Sequence, residues 1–297
     1  MALNKEVFRV RAISAVAFVI VMLAGLLWNH WSFLVLFSII HFGCWWEYIN
    51  LIEKIDGAKI NRYLRFGLML SGFGIMLWFC EGAYRIGGYG LKENLSLPFT
   101  VAGFALLIAG SFQKNSFGLK NFGVAALGWL YISLCWGVMI SLRQEGMEFK
   151  GLTASLEDSG RLLPVVLITS IWINDTMAYI VGSFIGKTPF SKISPKKTWE
   201  GTIGGALLCV LVMSVASHYL FGFAWHISIA IPLIAAVVGT MGDLLESKIK
   251  RLANVKDSGT MMPGHGGFMD RFDSLLLATP VVWVYVQLAI STSHSLR

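Results

Sequence analysis

The chain has 297 residues, of which 56% are hydrophobic and 14% charged, with 20 Phe and 11 Trp. A soluble globular domain carries about 25% charged residues, so this composition excludes one and points to a polytopic membrane protein. The formal charge of +7 then reads as cytoplasmic loop bias and attraction to anionic lipid, with no nucleic-acid partner expected.

Apolar runs predict about nine helical spans, at roughly 12–28, 31–46, 64–82, 97–113, 122–142, 162–185, 202–223, 227–245 and 274–292. The second and fourth are short and are expected to tilt, re-enter or borrow length from their flanks. The first run continues into the second through Asn29 and His30 with no small-residue cleavage pattern, so no cleavable signal peptide is expected. Strand signals are weak throughout, and the expected fold is all-α. On alternate sides of these spans, Arg85, Lys92, Arg143, Lys150, Arg161 and Arg297 make six cations; the other 18 of the 24 Lys and Arg fall opposite. That asymmetry predicts a cytoplasmic amino terminus and a carboxyl terminus outside. The expected organisation is an amino-terminal region, 1–160, of about five spans, and a carboxyl-terminal region, 161–297, of about four. Loops 186–201 and 246–273 belong to the second region and face the cytoplasm.

The four cysteines (Cys44, Cys80, Cys135, Cys209) are scattered over separate apolar segments and read as buried thiols. His41 and His218 are lone histidines in apolar spans, expected to hydrogen-bond between helices. Trp45, Trp46, Tyr48 and Trp225 read as interfacial belt residues.

Polar chemistry is concentrated in the carboxyl-terminal half. Asp175 falls inside the sixth span, where an ionised carboxylate costs a few kcal/mol, so it must face a partner, a metal or a wet cavity. Ser194 to Gly201 reads SPKKTWEG. Lysines alone suffice for topology, but Ser194, Thr198, Glu200 and the glycines are not needed for it. Near the end of the eighth span Asp243, Glu246 and Ser247 share one helix face, Glu246 reading as an i, i+4 partner of Lys250 at a solvated helix end. The densest stretch is 247–273, SKIKRLANVKDSGTMMPGHGGFMDRFD. Lys248, Lys250, Arg251 and Lys256 come first, then the turn Gly264, His265, Gly266, Gly267, then Asp270, Arg271 and Asp273. Cations for phosphates, glycines that let the backbone approach a ligand and spaced carboxylates for a divalent metal are the parts of nucleotidyl or phosphoryl transfer.

The ordered string Ser247-x-Ile249-Lys250-Arg251, Lys256-Asp257-x-Gly259 and Pro263-x-His265-Gly266-Gly267-Phe268-x-Asp270-Arg271-Phe272-Asp273 resembles the signature of phosphatidate cytidylyltransferases (CDP-diacylglycerol synthases). Met262 departs from the family's Leu, Ile or Phe, a volume-conserving swap. Asp175, Ala178, Tyr179 and Gly182, the SPKKTWEG string, and Arg11, Ser14 and Ala15 also look like that family. Strong similarity covers about the last 40% of the chain. The resemblance implies the reaction CTP + phosphatidate → CDP-diacylglycerol + pyrophosphate. It implies Mg²⁺ dependence, with a second cation left open, at the cytoplasmic face of the bacterial inner membrane.

Under that reading the metal goes to Asp243 with Asp270, and Asp273 and Asp257 are further candidates. Lys250, Arg251, Lys256, Arg271, Lys196 and Lys197 hold CTP and lipid phosphates, alongside Ser194, Thr198, Ser247, Gly266 and Gly267. His265 binds phosphate or protonates a leaving oxygen. Asp175 and Glu200 are further polar residues at membrane depth. The stretch 247–273 is expected to form one wall of a site shared with the sixth and seventh spans. The partners are CTP, phosphatidate and the bilayer, with a homodimer left open. The alternatives are a CTP-dependent lipid kinase acting on a polyprenol or phytol, which would transfer the γ-phosphate, and an ion-coupled transporter. No inverted repeat supports the transporter.

Overall fold

A computed structural model describes residues 5–113, 118–148, 159–261 and 266–295. It is an all-α polytopic membrane protein. Among the described residues seven helices are long and apolar enough to cross a bilayer: His30–Asp56, Lys92–Ser111, Phe122–Gln144, Leu162–Ile185, Trp199–Phe221, Trp225–Leu252 and Met269–Ser291. They coincide with seven of the expected spans. The other two expected spans are also helical but shorter, namely the apolar part of α1, Ile13–Leu27, and α3, Arg62–Trp78. A two-residue hairpin, β1 (Arg85–Ile86) with β2 (Tyr89–Gly90), is the sheet structure described.

The chain divides into two compact units. One comprises Met1–Ile140 and Ile249–Phe272, the other Ser141–Lys248 and Asp273–Arg297. Most of the 247–273 stretch therefore packs with the amino-terminal helices.

In the first unit α1 (Lys5–Leu27) leads into α2 (His30–Asp56). Asn29 and Ser32 close a reciprocal capping box, with Asn29 Oδ1 accepting from Ser32 N at 2.8 Å and Ser32 Oγ from Asn29 N at 3.1 Å. α2 runs for 27 residues, well past the expected 31–46, until Gly57 takes the left-handed conformation at φ 69° and donates to Glu53 O. Glu53 ties down the following turn, accepting from Ile60 N at 2.8 Å and pairing with Arg65 at 2.9 Å. Trp45 and Tyr48 are buried in the core and are not belt residues. The Trp45 indole donates to Ser133 Oγ at 2.8 Å, and His41 Nε2 lies 3.0 Å from the same oxygen. The hydroxyl offsets part of the cost of burying these polar rings. Trp46 and Trp225 do remain exposed. α4 (Leu97–Ser111), α5 (Leu119–Ala126) and the start of α6 (Cys135–Glu148) complete this unit.

In the second unit α7 (Leu162–Ile185) packs on α8 (Trp199–Phe221), with α9 (Trp225–Leu252) and α10 (Met269–Ser295) contributing most of their length. His218 bonds Phe223 O at 2.7 Å in the turn after α8 and stacks on Trp225, the first residue of α9, so its hydrogen bond goes to the turn and not to a second helix. Small residues set the α7–α8 spacing, since a Cβ at Gly205 would lie 2.6 Å from the backbone nitrogen of Ala178. Close approach of this kind replaces the hydrophobic drive that lipid does not supply. Gly205→Val is expected to force these helices apart at a cost of about 1–3 kcal/mol. A lower midpoint of thermal inactivation in detergent checks this; an unchanged midpoint would contradict the packing.

Candidate active site

The second unit contains a cavity of about 420 Å³ whose lining includes Asp175, Ser194, Lys196, Lys197, Thr198 and Asp243. Six sequence-predicted residues, from three separate stretches, thus meet around one space. The loop that carries Ser194 and the lysines is itself ordered by backbone bonds. Phe190 N donates to Lys197 O at 2.8 Å and Trp199 N to Thr188 O at 2.9 Å, with the Phe190 and Trp199 rings 4.5 Å apart. Thr198 is the N-cap of α8, accepting from Gly201 N at 3.2 Å. Glu200, in the first turn of α8, accepts from Lys187 N at 3.1 Å and Thr188 N at 3.2 Å. The structure thus uses Thr198 and Glu200 to brace the loop that presents Lys196 and Lys197.

Lys197 forms an ion pair with Asp243 Oδ2, and Ser247 Oγ donates to Asp243 Oδ1 at 3.2 Å. Burial alone would lower the Lys197 pKa, but the negative charge of Asp243, with Asp175 and Asp273, outweighs it and holds the ammonium above the ordinary lysine value. The lysine is therefore a fixed cation at the cavity wall.

Asp243, Glu246 and Asp273 each offer a carboxylate oxygen, and these lie within 4.8 Å of one another. Asp243 and Glu246 share the α9 face; Asp273 comes from α10. The two helices approach closely because a Cβ at Gly242 would sit 2.5 Å from the Asp273 carbonyl oxygen. Glu246 is fully buried. Three close, partly buried carboxylates repel one another unless neutralised, and three hard oxygen donors fit one small divalent cation.

In the first unit Lys250 and Asp270 pair at 2.6 Å. The other Asp270 oxygen accepts from Ser258 N at 2.8 Å, Ser258 Oγ at 2.9 Å and Gly267 N at 2.7 Å. Both Asp270 oxygens are thus engaged with protein donors of this unit. Asp257 and Lys256 are exposed, and neither belongs to the carboxylate group described. Arg251 donates to Val255 O at 3.2 Å at the end of α9, and Arg271 is exposed. Gly266 has φ +87°, which only glycine adopts without strain. His265 lies outside the described residues.

Two buried carboxylates were given no site role by the sequence. Glu246 was legible as the i+3 partner of Asp243 but also fits a solvated helix end. Glu47 sits in a run of aromatics on α2, where it is 5% exposed. The rule that flags Asp175, a carboxylate inside an apolar span, did not reach Glu47, which lies one residue past the expected end of the second span but well inside α2.

The model of the cytidylyltransferase family matches residues 9–289. Phosphatidate cytidylyltransferase of Staphylococcus aureus (strain COL) is 34% identical over 195 residues, 65% of this chain and 67% of that protein. Its counterpart in Staphylococcus saprophyticus is 29% identical over 92% of this chain and 97% of that protein. Phosphatidate cytidylyltransferase 4, chloroplastic, of Arabidopsis thaliana is 31% identical over 66% of this chain and 54% of that protein.

Proposed function

The chain belongs to the cytidylyltransferase family, and on that premise we propose how its residues perform the reaction. The protein transfers the cytidylyl group of CTP to phosphatidate, giving CDP-diacylglycerol and pyrophosphate. A phosphatidate oxygen attacks the α-phosphorus of CTP while the bond from that phosphorus to the bridging oxygen of the pyrophosphate breaks. The attacking phosphate is already anionic and needs little general-base help. The work is to bring two polyanions together and to neutralise charge at the α-phosphorus and the leaving group.

The observation that carries this assignment is the cavity that brings Lys196, Lys197 and Asp243 together, with Glu246 and Asp273 in carboxylate reach of Asp243. Lys196 and Lys197 hold phosphate oxygens of the substrates, and Ser194 offers a hydroxyl donor beside them. Asp243, Glu246 and Asp273 hold Mg²⁺, which supplies charge neutralisation at the phosphates when bound. Lys250, Arg251, Lys256 and Arg271 provide further cations for phosphate. Asp270 serves this set by fixing the Lys250 ammonium.

The site is proposed to face the cytoplasm of the bacterial inner membrane, where CTP is found. α1 and α3 are proposed to cross the bilayer as well, giving nine spans with the amino terminus inside. Support comes from the split of Lys and Arg and from the positive-inside rule.

The test is purified protein incubated with phosphatidate, Mg²⁺ and CTP labelled at the α- or the γ-phosphate. Label is expected in lipid from the α position and not from the γ. Label from γ alone would make the protein a lipid kinase, and no lipid label would end the assignment.

A further inference from the structure

Glu47 lies on α2, yet its hydrogen bonds go to residues more than two hundred positions along the chain. Its Oε1 accepts from Phe268 N at 2.8 Å, and its Oε2 from Met269 N at 3.0 Å and Ser258 Oγ at 2.7 Å. Met269 is the first residue of α10. The first amide groups of a helix have no intrahelical acceptor, and a carboxylate there is favoured by the helix dipole. The N-cap residue usually supplies the oxygen, but the preceding residue here is Phe268, which has none to offer. Glu47 therefore caps α10 from another helix.

The same carboxylate reaches the other side of the glycine-rich turn through Ser258. That hydroxyl lies 2.7 Å from Glu47 Oε2 and 2.9 Å from Asp270 Oδ2. Asp270 in turn takes Gly267 N and Lys250 Nζ. A Cβ added at either Gly259 or Gly267 would collide with the Glu47 carboxylate, so the backbone on both sides of the turn is packed against it. These groups belong to one compact unit.

We infer that Glu47 is a positioning residue for cytidylyl transfer, fixing Ser258 and the first turn of α10 so that the Lys250–Asp270 pair and Arg271 are presented in one arrangement. This rests on the reading that the 250–271 cations handle substrate phosphates. Glu47→Gln keeps the size of the side chain but sets an amide NH₂ against a backbone N–H. Three readouts are taken on the full-length protein: turnover with α-labelled CTP, KM for CTP, and amide hydrogen exchange.

The Glu47→Gln kcat is expected to fall about 10²-fold, the loss that a misplacement of roughly 1 Å can cause. KM for CTP is expected to move by less than about threefold, since ground-state binding is not the term removed. Exchange at Phe268 and Met269 is expected to speed up at least about tenfold, with the other helices unchanged. Ser258→Ala is expected to act in the same direction but less strongly. The double variant should be no worse than Glu47→Gln alone, because both act on one network.

A kcat within about threefold of wild type, unchanged exchange at 268–269, additive losses, or protection lost throughout the molecule would each overturn the inference. The last outcome would make Glu47 a general support of the fold. The exchange measurement reads the contacts whatever the reaction is, so its failure is distinct from failure of the wild-type protein to label lipid.

Discussion

Asp243→Asn is expected to lower turnover by about 10³-fold while the protein still inserts and folds. A metal's stabilisation of developing phosphate charge is worth several kcal/mol, and each ~1.4 kcal/mol is tenfold in rate. Asn has nearly the same volume and can still accept the Ser247 hydroxyl, which bonds Asp243 Oδ1. What it removes is charge, toward Lys197 on one side and toward the carboxylates of Glu246 and Asp273 on the other. Glu246→Gln and Asp273→Asn are expected to behave alike if the three share one cation. Asp257→Asn, at an exposed position, should stay within about threefold of wild type, since surface changes away from a site are nearly silent. Initial rates at saturating CTP and Mn²⁺ binding followed by electron paramagnetic resonance give two readouts. Near-wild-type activity in Asp243→Asn would remove it from the site. Unaltered Mn²⁺ binding in all three variants would remove the cation.

Asp270 separates what the sequence could tell from what it could not. Its spacing to Asp273 is i, i+3, so both looked able to point at one metal. Spacing does not report which donors lie nearby, and Lys250, Ser258 and Gly267 claim Asp270 through contacts that only folding creates. The seven longest spans were readable because a long apolar run has one solution in lipid, a helix that satisfies its own backbone. The length of α2 was not, because Glu47 interrupts the apolar run and the last turns carry Glu53, Lys54 and Asp56. They continue the helix where an apolar-run argument stops it. SPKKTWEG, Asp175 and Asp243 line one cavity, where each finds the wet or charged neighbour that a polar group at membrane depth needs. Trp45 shows the reverse case. An indole at the expected interface is buried because Ser133, 88 residues away, supplies its acceptor.

Lys197→Met is expected to separate cation binding from catalysis. In the wild-type protein the ammonium pairs with Asp243 Oδ2 and so competes with any cation for that oxygen. Removing it frees the oxygen, and Mn²⁺ affinity should stay equal or rise. Turnover should nevertheless fall by about 10²–10³-fold, because a fixed positive charge aimed at phosphate is worth roughly 3–4 kcal/mol in a water-poor site. Lys197→Arg keeps the charge in a wider, forked geometry and should recover part of the rate. The pH dependence follows from the raised pKa of the ammonium. Its ion pair with Asp243 is fully present below the ordinary lysine value of 10.5 and is lost only as pH rises through the higher folded-state value. The shape of the kcat profile between about pH 6 and 9 should therefore be the same in wild type and Lys197→Met, with only its height changed. A profile that changes shape in that window would mean that Lys197 exchanges a proton during turnover. A parallel loss of Mn²⁺ affinity would mean that its role is to assemble the carboxylates and not to hold phosphate.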